Sequence, residues 1–276
     1  MVSIKKELAA YGLTPRKRWG QHFLVDRNIL NKVVRAAELE KGDVILEIGS
    51  GMGEMTLALA RQVKKVIAVE IDRKLVKILK ERTAEFSNIT FIEGDILKIS
   101  FEELYRQGQQ QLKVVANLPY QISTPLLFRF IESKQLFSSL SLMLQREVAE
   151  RMIAHPGGKD YGPLSIFTQS VSDLSIQFYI KPSAFFPPPK VESAVIRMVW
   201  KERPLVRLEE EGWFKKVVKG CFSYRRKRLV NGLRHANLLL PEDLEKRIEK
   251  IGIDPQRRPE TLTIQEFARL ADALRL

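Results

Sequence analysis

A glycine-rich segment between an apolar run and a helical pattern is the first part of this sequence that could do chemistry. Gly49, Gly51 and Gly53 follow the apolar run Val44–Ile48. Glycines allow a tight turn and the close approach of a ligand, and the helix that follows offers free N–H groups. The dinucleotide fingerprint has a glycine where Glu54 stands, and a glutamate there repels a pyrophosphate. The loop therefore favours a ligand without phosphates, such as S-adenosylmethionine, although a plain strand-to-helix turn has the same glycines.

Two acidic residues follow the next two strand-like runs. Glu70 ends the second run, seventeen residues after Gly53, and Asp95 follows the third. A carboxylate in the first position can accept hydrogen bonds from two ribose hydroxyls. The second is placed to accept from an adenine amino group. Each acid alone is typical of a turn or a helix cap. Together with the glycine loop they predict a nucleoside site at the carboxyl ends of the strands.

Asn117-Leu118-Pro119-Tyr120 follows the fourth strand-like run and suits chemistry on an exocyclic amine. The lone pair of an adenine N6 is delocalised into the ring, so the amine is a poor nucleophile. Carbonyl oxygens from the Asn117 side chain and from Leu118 can accept its N–H bonds and direct the lone pair at a methyl group, while Pro119 fixes the backbone. Tyr120 offers a flat face for an extruded base. A turn closed by Asn and Pro would explain the same four residues.

Short motifs from the N-terminal arm to the C-terminal helices occur in one defined order. They are Gly20-Gln21-His22-Phe23-Leu24, Glu47 through Gly53, Asn117 through Tyr120 with Ile122 through Pro125, Tyr161-Gly162, Phe185 through Val195, and Phe222 with Arg225-Arg226-Lys227. In this order the motifs resemble the small-subunit ribosomal RNA adenine dimethyltransferases, the family whose loss confers kasugamycin resistance. The resemblance covers nearly the whole chain, and the combination is more specific than any of its parts.

The resemblance implies S-adenosylmethionine as the cofactor and assigns residues to it. His22 and Leu24 would contact the cofactor from the arm, although packing against a helix also accounts for His22. Glu70 would bind the ribose, Asp95 the adenine, and Asn117 would lie beside the cofactor as well as the target base. The methionine portion would lie against the glycines of the loop, Gly49, Gly51 and Gly53.

The resemblance also implies residues for the target base. Asn117, Leu118 and Tyr120 would hold the base, and Phe185 would stack on its other face. Three prolines follow Phe186, and such a stiff link could fix an aromatic side chain at the rim of a pocket or serve only as a rigid connection between two strands. Because Phe186 is bulkier than the residue expected after the stacking Phe, which phenylalanine faces the base stays open.

The elements that must position these motifs alternate between strand-like and helical patterns. The strands are predicted at residues 44–48, 66–70, 89–92, 113–116, 140–144, 175–180 and 191–199. Alternation predicts an α/β fold with a mostly parallel seven-stranded sheet, which the resemblance identifies as the Rossmann-like class I methyltransferase fold. The last two strands have no helix between them and should form an antiparallel pair at one edge.

Three domains are predicted along the chain. Residues 1–41 form a basic N-terminal arm, residues 42–200 the domain that binds S-adenosylmethionine, and residues 201–276 a small all-helical domain that binds RNA. The last segment contains eighteen basic and twelve acidic residues and no strand-like alternation. These limits follow from changes in periodicity and composition.

A basic cluster in the C-terminal segment is the candidate RNA-binding surface. Lys215, Lys219 and Arg226 would share one helical face, and Arg225 and Lys227 lie next to it in the sequence. Such a face can follow phosphates, although charge runs are also typical of a solvated helix. The whole chain has 46 Lys and Arg against 33 Asp and Glu, a net charge of +13, which favours a polyanionic partner over a merely soluble surface.

The remaining composition narrows the class of protein. Cys221 is the only cysteine, so no internal disulfide forms, and neither a secretory signal nor an apolar run of about 20 residues is present. A cytoplasmic protein without a membrane partner or a metal is therefore expected. The resemblance implies a monomeric enzyme that dimethylates N6 of two adjacent adenines in the 3′-terminal hairpin of small-subunit (16S) rRNA within a pre-30S particle.

Two alternatives to this function share most of the motifs. One is the related large-subunit (23S) rRNA adenine methyltransferase that confers macrolide resistance. The long basic arm, Leu118 and the triple proline favour the small-subunit enzyme over it. The other is a nucleic-acid-binding assembly or transcription factor that keeps the fold without catalysis. The presence of a suitable residue at every catalytic position argues against this alternative.

Overall fold

Val44–Ile48, strand β2, is buried along its whole length inside a seven-stranded sheet. It pairs in parallel with Lys65–Glu70, strand β3, on one side and with Leu112–Asn117, strand β5, on the other. Parallel strands covered on both faces consist of continuous apolar residues. This is why the sequence of β2 is a continuous run and shows no alternation of polar and apolar residues.

The computed structural model describes residues 4–205, 211–224, 227–236 and 238–275. The chain divides into two compact units, Met1–Ala149 with Ser175–Val199, and Glu150–Leu174 with Trp200–Leu276. These units differ from the predicted domains, because the arm groups with the sheet and residues 150–174 group with the C-terminal residues.

The large sheet has the strand order β4-β3-β2-β5-β6-β9-β7. The four strands not yet located are β4 Ile89–Glu93, β6 Phe137–Gln145, β7 Ser172–Ile180 and β9 Ser193–Trp200. Strands β4 to β6 pair in parallel, and β9 pairs antiparallel with β6. The predicted mostly parallel seven-stranded sheet is confirmed, and β7 and β9 lie side by side at one edge.

A second, two-stranded sheet joins the N-terminal arm to the proline-rich segment. Phe23–Leu24, strand β1, pairs antiparallel with Phe185–Phe186, strand β8. The Val25 N–H extends the pairing by donating to the Ala184 carbonyl at 2.8 Å. The sequence did not predict this sheet, because two residues are too few to show a periodic pattern.

Helices of the first unit pack against the sheet or extend the arm. They are α1 Ile4–Ala10, α2 Arg27–Ala36, α3 Glu54–Ala60, α4 Arg73–Arg82, α5 Phe101–Gly108 and α6 Ser123–Glu132, and α7 Arg146–Met152 continues into the second unit. Side-chain caps begin several of them: Asp26 accepts from two N–H groups of α2, and Asp72 accepts from Lys74 of α4. Helix α2 buries Val33 and Val34 in a core that includes Ile45 of β2.

Helices make up most of the second unit, which confirms the predicted helical C-terminal region. They are α8 Pro163–Val171, α9 Glu211–Ser223, α10 Leu229–Arg234, α11 Leu244–Lys250 and α12 Ile264–Ala273. Helix α8 groups with the C-terminal helices because Phe167 packs edge-on against Phe214 of α9, with ring centroids 6.0 Å apart. Among the described residues, every helix is too short or too polar to cross a membrane.

Gly53 offers a test of how tightly the glycine loop packs. Its φ is +88°, and an added Cβ would lie 2.4 Å from Leu79 Cδ1 of α4. Gly12 in the same unit has φ +63° but no atom within 4 Å of an added Cβ, so Gly12→Ala isolates the backbone strain. We expect Gly12→Ala to cost about 1 kcal/mol of unfolding free energy. Gly53→Ala should cost about 1–3 kcal/mol more because it also overpacks the core. Urea denaturation measures both, and equal costs would contradict the steric contribution.

Candidate active site

A cavity of about 380 Å³ lies in the first unit, where the carboxyl ends of β2, β3, β4 and β5 meet the N-terminal arm. Open parallel sheets bind ligands at this edge. Most of the side chains and glycines selected from the sequence line it: His22, Leu24, Gly49, Gly51, Glu70, Asp95, Asn117, Leu118 and Tyr120. Gly53 and Phe185 are not among the lining residues, and their positions explain why.

Gly53 and Phe185 both belong to the packing around the cavity. Gly53 is the N-cap of α3 and packs against Leu79 of α4, on the side of the loop away from the cavity. Phe185 is 3% exposed and belongs to the apolar core with Val195. Its neighbour Phe186 is half-buried and packs beside Phe23. Phe185 therefore does not line the cavity that Tyr120 lines, and its buried ring presents no open face to a base. Its stacking role stays a prediction that requires β8 to move.

Glu70 is held in place by backbone donors. The Gly51 N–H donates to Oε2 at 2.9 Å and the Asp72 N–H donates to Oε1 at 3.0 Å. Burial raises the pKa of Glu70, and these two donated hydrogen bonds oppose the shift. Each oxygen keeps a second lone pair, so the carboxylate has acceptor capacity for a pair of hydroxyl groups.

Asp95 lies across the cavity edge from the glycine loop, after β4. Its Oδ1 accepts from the Leu97 N–H at 3.0 Å, so an incoming amino group would meet the second oxygen. Glu54, also at the cavity, forms an ion pair with Arg82 at 2.5 Å. This pairing partly neutralises Glu54, so its repulsion of a pyrophosphate is weaker than the sequence alone predicted.

Asn117 has a fixed orientation at the end of β5. Its Nδ2 donates to the backbone carbonyl of His22 at 2.9 Å. Because a carbonyl only accepts, this contact identifies the nitrogen end of the amide and leaves Oδ1 as an acceptor. The next residue is equally fixed, since the Leu118 N–H donates to the Met143 carbonyl of β6 at 2.9 Å.

Tyr120 and His22 form a stacked aromatic pair beside Asn117. Their ring centroids are 5.7 Å apart with planes at 27°. The Tyr120 hydroxyl shares a hydrogen bond with Ser193 Oγ of β9 at 2.8 Å, and burial raises the pKa of Tyr120. His22 Nδ1 lies 2.6 Å from the Pro187 carbonyl, so Nδ1 carries the proton and donates. The pair is thus held at both ends.

Glu47 belongs to this site, although the sequence patterns had assigned no role to it. It lies within β2, is fully buried, and lines the cavity. Among the described residues, neither of its carboxylate oxygens forms a hydrogen bond of ordinary geometry, and the nearby hydroxyls of Ser50 and Thr56 interact with it only weakly. Burial raises the pKa of Glu47 to about 8, helped by the negative charge of Glu70 and opposed by the Thr56 hydroxyl. An acid inside an apolar strand was the signal that could have identified it.

The predicted RNA-binding residues lie only partly within the described chain. Lys215 and Lys219 are on α9, one helical turn apart. Helix α9 ends at Ser223, and Arg225 and Arg226, which the predicted basic cluster includes, lie outside the described residues. Lys227 is exposed, with its Nζ 4.9 Å from the ring centroid of Tyr224.

Comparison with known proteins decides the family. Residues 12–275 match the family model for ribosomal RNA adenine dimethylase. The chain belongs to the ribosomal RNA adenine dimethylase family. This membership confirms the predicted methyltransferase class, with S-adenosylmethionine as the methyl donor.

Named relatives of this adenine dimethylase cover nearly its whole length. Ribosomal RNA small subunit methyltransferase A of Geobacter metallireducens is 44% identical over 265 residues, 95% of this chain and 96% of its own. The protein of the same name from Clostridium acetobutylicum is 41% identical over 264 residues, 96% of this chain and 95% of its own. A solved dimethyladenosine transferase from Plasmodium falciparum is 29% identical with a TM-score of 0.77, covering 90% and 96% of the two chains.

Glu47 gives this adenine dimethylase a pH-dependent stability that can be measured. Between the usual carboxyl pKa of 4.5 and about 8, the unfolded chain loses a proton that folded Glu47 keeps, so stability falls as the pH rises through this window. Glu47→Gln cannot ionise and should avoid the loss, about 1.4 kcal/mol per pH unit. We expect variant and parent to unfold at similar urea concentrations at pH 5 and the variant to be more resistant at pH 8.

The control for this pH series is Glu93→Gln, which changes an exposed carboxylate at the end of β4. It should follow the parent protein at every pH. If Glu47→Gln had the same stability as the parent protein at every pH, Glu47 would have an ordinary carboxyl pKa in the folded protein, and the prediction would be wrong.

Proposed function

We propose that this adenine dimethylase transfers methyl groups from S-adenosylmethionine to N6 of two adjacent adenines in the 3′-terminal hairpin of small-subunit rRNA. The observation that carries the proposal is the fixed Asn117 amide, whose Oδ1 is presented at a cavity that also contains Glu70 and Asp95. The names of the two bacterial relatives support the small-subunit rRNA over the large-subunit one.

The cavity fits a cofactor that is a nucleoside carrying positive charge. Glu70 has acceptor capacity for ribose hydroxyls, and Asp95 has a second oxygen for an adenine amino group. The buried carboxyl group of Glu47 forms no ion pair and no hydrogen bond of ordinary geometry among the described residues, and an ammonium or sulfonium group in the cavity would supply the missing charge. When bound, S-adenosylmethionine supplies an electrophilic methyl group. The glycines of the loop allow its close approach to the backbone.

Asn117 and Leu118 prepare the adenine amine for attack. Asn117 Oδ1 and the Leu118 carbonyl accept the two N6–H bonds, which directs the nitrogen lone pair out of the ring system. Tyr120 supplies a stacking face for the extruded base, with its hydroxyl fixed by Ser193. The protein thereby acts through positioning and electrostatics. The methylated amine is an acidic cation that loses its proton without a strong base, and the pocket must then accept the monomethylated base for the second transfer.

The RNA substrate would be engaged outside the cavity by basic residues of the second unit. Lys219 and Lys227 are exposed, and Lys215 shares a helix with Lys219. These side chains would follow phosphates of an assembling small subunit, the pre-30S particle, while Arg225 and Arg226 would extend the same basic segment. The enzyme would act as a monomer in the cytoplasm, where small subunits assemble.

Asn117→Ala tests the proposed chemistry directly. Removing the side-chain acceptor should lower kcat for methyl transfer by about a hundredfold or more, the usual effect of losing one oriented polar group at a reacting centre. The measurement is transfer from labelled S-adenosylmethionine to purified small subunits from an unmethylated strain, with dimethyladenine identified in the RNA. Label in large subunits instead would support the macrolide-resistance alternative, and cofactor binding without label would support the binding-factor alternative.

Asn88→Ala is the matched control for that experiment. Asn88 also donates from Nδ2 to backbone carbonyls, of Ala60 and Val63, but it does not line the cavity. The control should lose stability while each folded molecule keeps its activity. Equal losses of activity in the two variants would contradict the role of Asn117 at the reacting centre.

A further inference from the structure

Trp19 lines the cavity from the N-terminal arm, next to the motif proposed to hold the target base. The following residue, Gly20, has φ +60°, and an added Cβ would lie 3.6 Å from Pro119 Cβ and 3.9 Å from the Tyr120 nitrogen. The backbone of the arm therefore runs directly against the Asn117–Tyr120 motif. Trp19 therefore immediately precedes the point where the arm contacts the motif proposed to hold the target base.

Two guanidinium groups lie on the Trp19 ring. The Cζ atoms of Arg16 and Arg18 are each 4.6 Å from its centroid, within the range of a cation–π contact. Arg16 is anchored, because its Nε lies 3.6 Å from Asp72 Oδ2 and its backbone N–H donates to Gln21 Oε1 at 2.8 Å. Arg18 is exposed and forms no ion pair within the described part of the chain.

The charge of this cluster is opposite to the charge of the buried acids. Glu47 and Glu70 suit a cationic cofactor, whereas two guanidinium groups would repel one. An anionic ligand that also carries a flat ring fits the cluster, and a nucleotide of single-stranded RNA has both properties. Proteins usually bind single-stranded nucleic acids with aromatic side chains that stack on the bases and basic side chains that follow the phosphate backbone.

We propose that Trp19 and Arg18 bind the RNA nucleotide adjacent to the adenine that enters the cavity. The exposed Arg18 turns from the Trp19 ring to pair with the phosphate, and the neighbouring base stacks on the ring in its place. This inference rests on the proposed function. When the adenine is extruded, the neighbouring base loses a stacking partner, and the Trp19 ring replaces that partner. The Arg16–Asp72 pair holds the ring in place, so Arg16 is a positioning residue.

Trp19→Ala and Arg18→Ala test this contact, with Trp19→Phe as the conservative variant. Methyl transfer to small subunits is measured as KM and kcat over a range of salt concentrations. We expect Trp19→Ala to raise KM for the subunits about tenfold, and Trp19→Phe to recover most of the loss. Arg18→Ala should lower the slope of log affinity against log salt by about one, as for the loss of one phosphate contact. The dissociation constant for S-adenosylmethionine should not change.

Arg61→Ala is the matched control, because the exposed Arg61 also lies over an aromatic ring, that of Phe86 at 5.7 Å, and does not line the cavity. KM and salt slopes equal to those of Arg61→Ala would overturn the inference. A loss of S-adenosylmethionine affinity in both Trp19 variants would also overturn it, since this would show that the ring only supports the arm. If the unsubstituted protein does not methylate small subunits, the proposed function itself fails and this inference falls with it.

Discussion

The parallel pairing of three strands determines where the chemistry of this protein can occur. Ile48 of β2 is in register with Val69 of β3 and with Ala116 of β5. The residues that follow these three positions are Gly49, Glu70 and Asn117, respectively. They therefore lie side by side at the carboxyl edge of the sheet. A shift of one residue in either pairing would turn the Glu70 or Asn117 side chain to the opposite face. The apolar burial of β2 fixes the register, and the register assembles the site.

Two buried carboxyl groups, Glu47 and Glu70, lie at this edge in different hydrogen-bonding environments. Glu70 accepts hydrogen bonds from two backbone N–H groups, whereas Glu47 has only weak interactions with the nearby hydroxyls of Thr56 and Ser50. An unpaired buried carboxyl group favours its neutral form, and a cation brought beside it favours the charged form. The site is therefore suited to exchange a proton for a positively charged ligand. The guanidinium groups on Trp19 carry the opposite charge and would attract RNA phosphates. The cofactor and the RNA would therefore be attracted to different parts of the site.

The sequence was sufficient for features that depend on neighbours in the chain. The seven strands of the large sheet, the glycine loop, and the acids at the end of β3 and after β4 were all predicted, since apolar runs and short spacings are local. The pairing of β1 with β8 was not, because it joins two-residue strands across most of the chain. The burial of Phe185 depends on that pairing, and the grouping of residues 150–174 with the C-terminal helices depends on contacts such as that between Phe167 and Phe214. Glu47 stood out as an acid within an apolar run, but its burial and its place in the cavity depend on contacts across the sheet that no local pattern shows.

The β1–β8 pairing has a consequence for how the site matures during synthesis. His22 donates to the carbonyl of Pro187, a residue 165 positions later in the chain. At a synthesis rate of about 5–20 residues per second, roughly ten to thirty seconds separate the two residues on the ribosome. A nascent chain therefore has the glycine loop and both cofactor-facing acids long before it has the strand that secures its own arm. The protein can therefore complete its cavity only after residue 187 of its 276 residues has been synthesised.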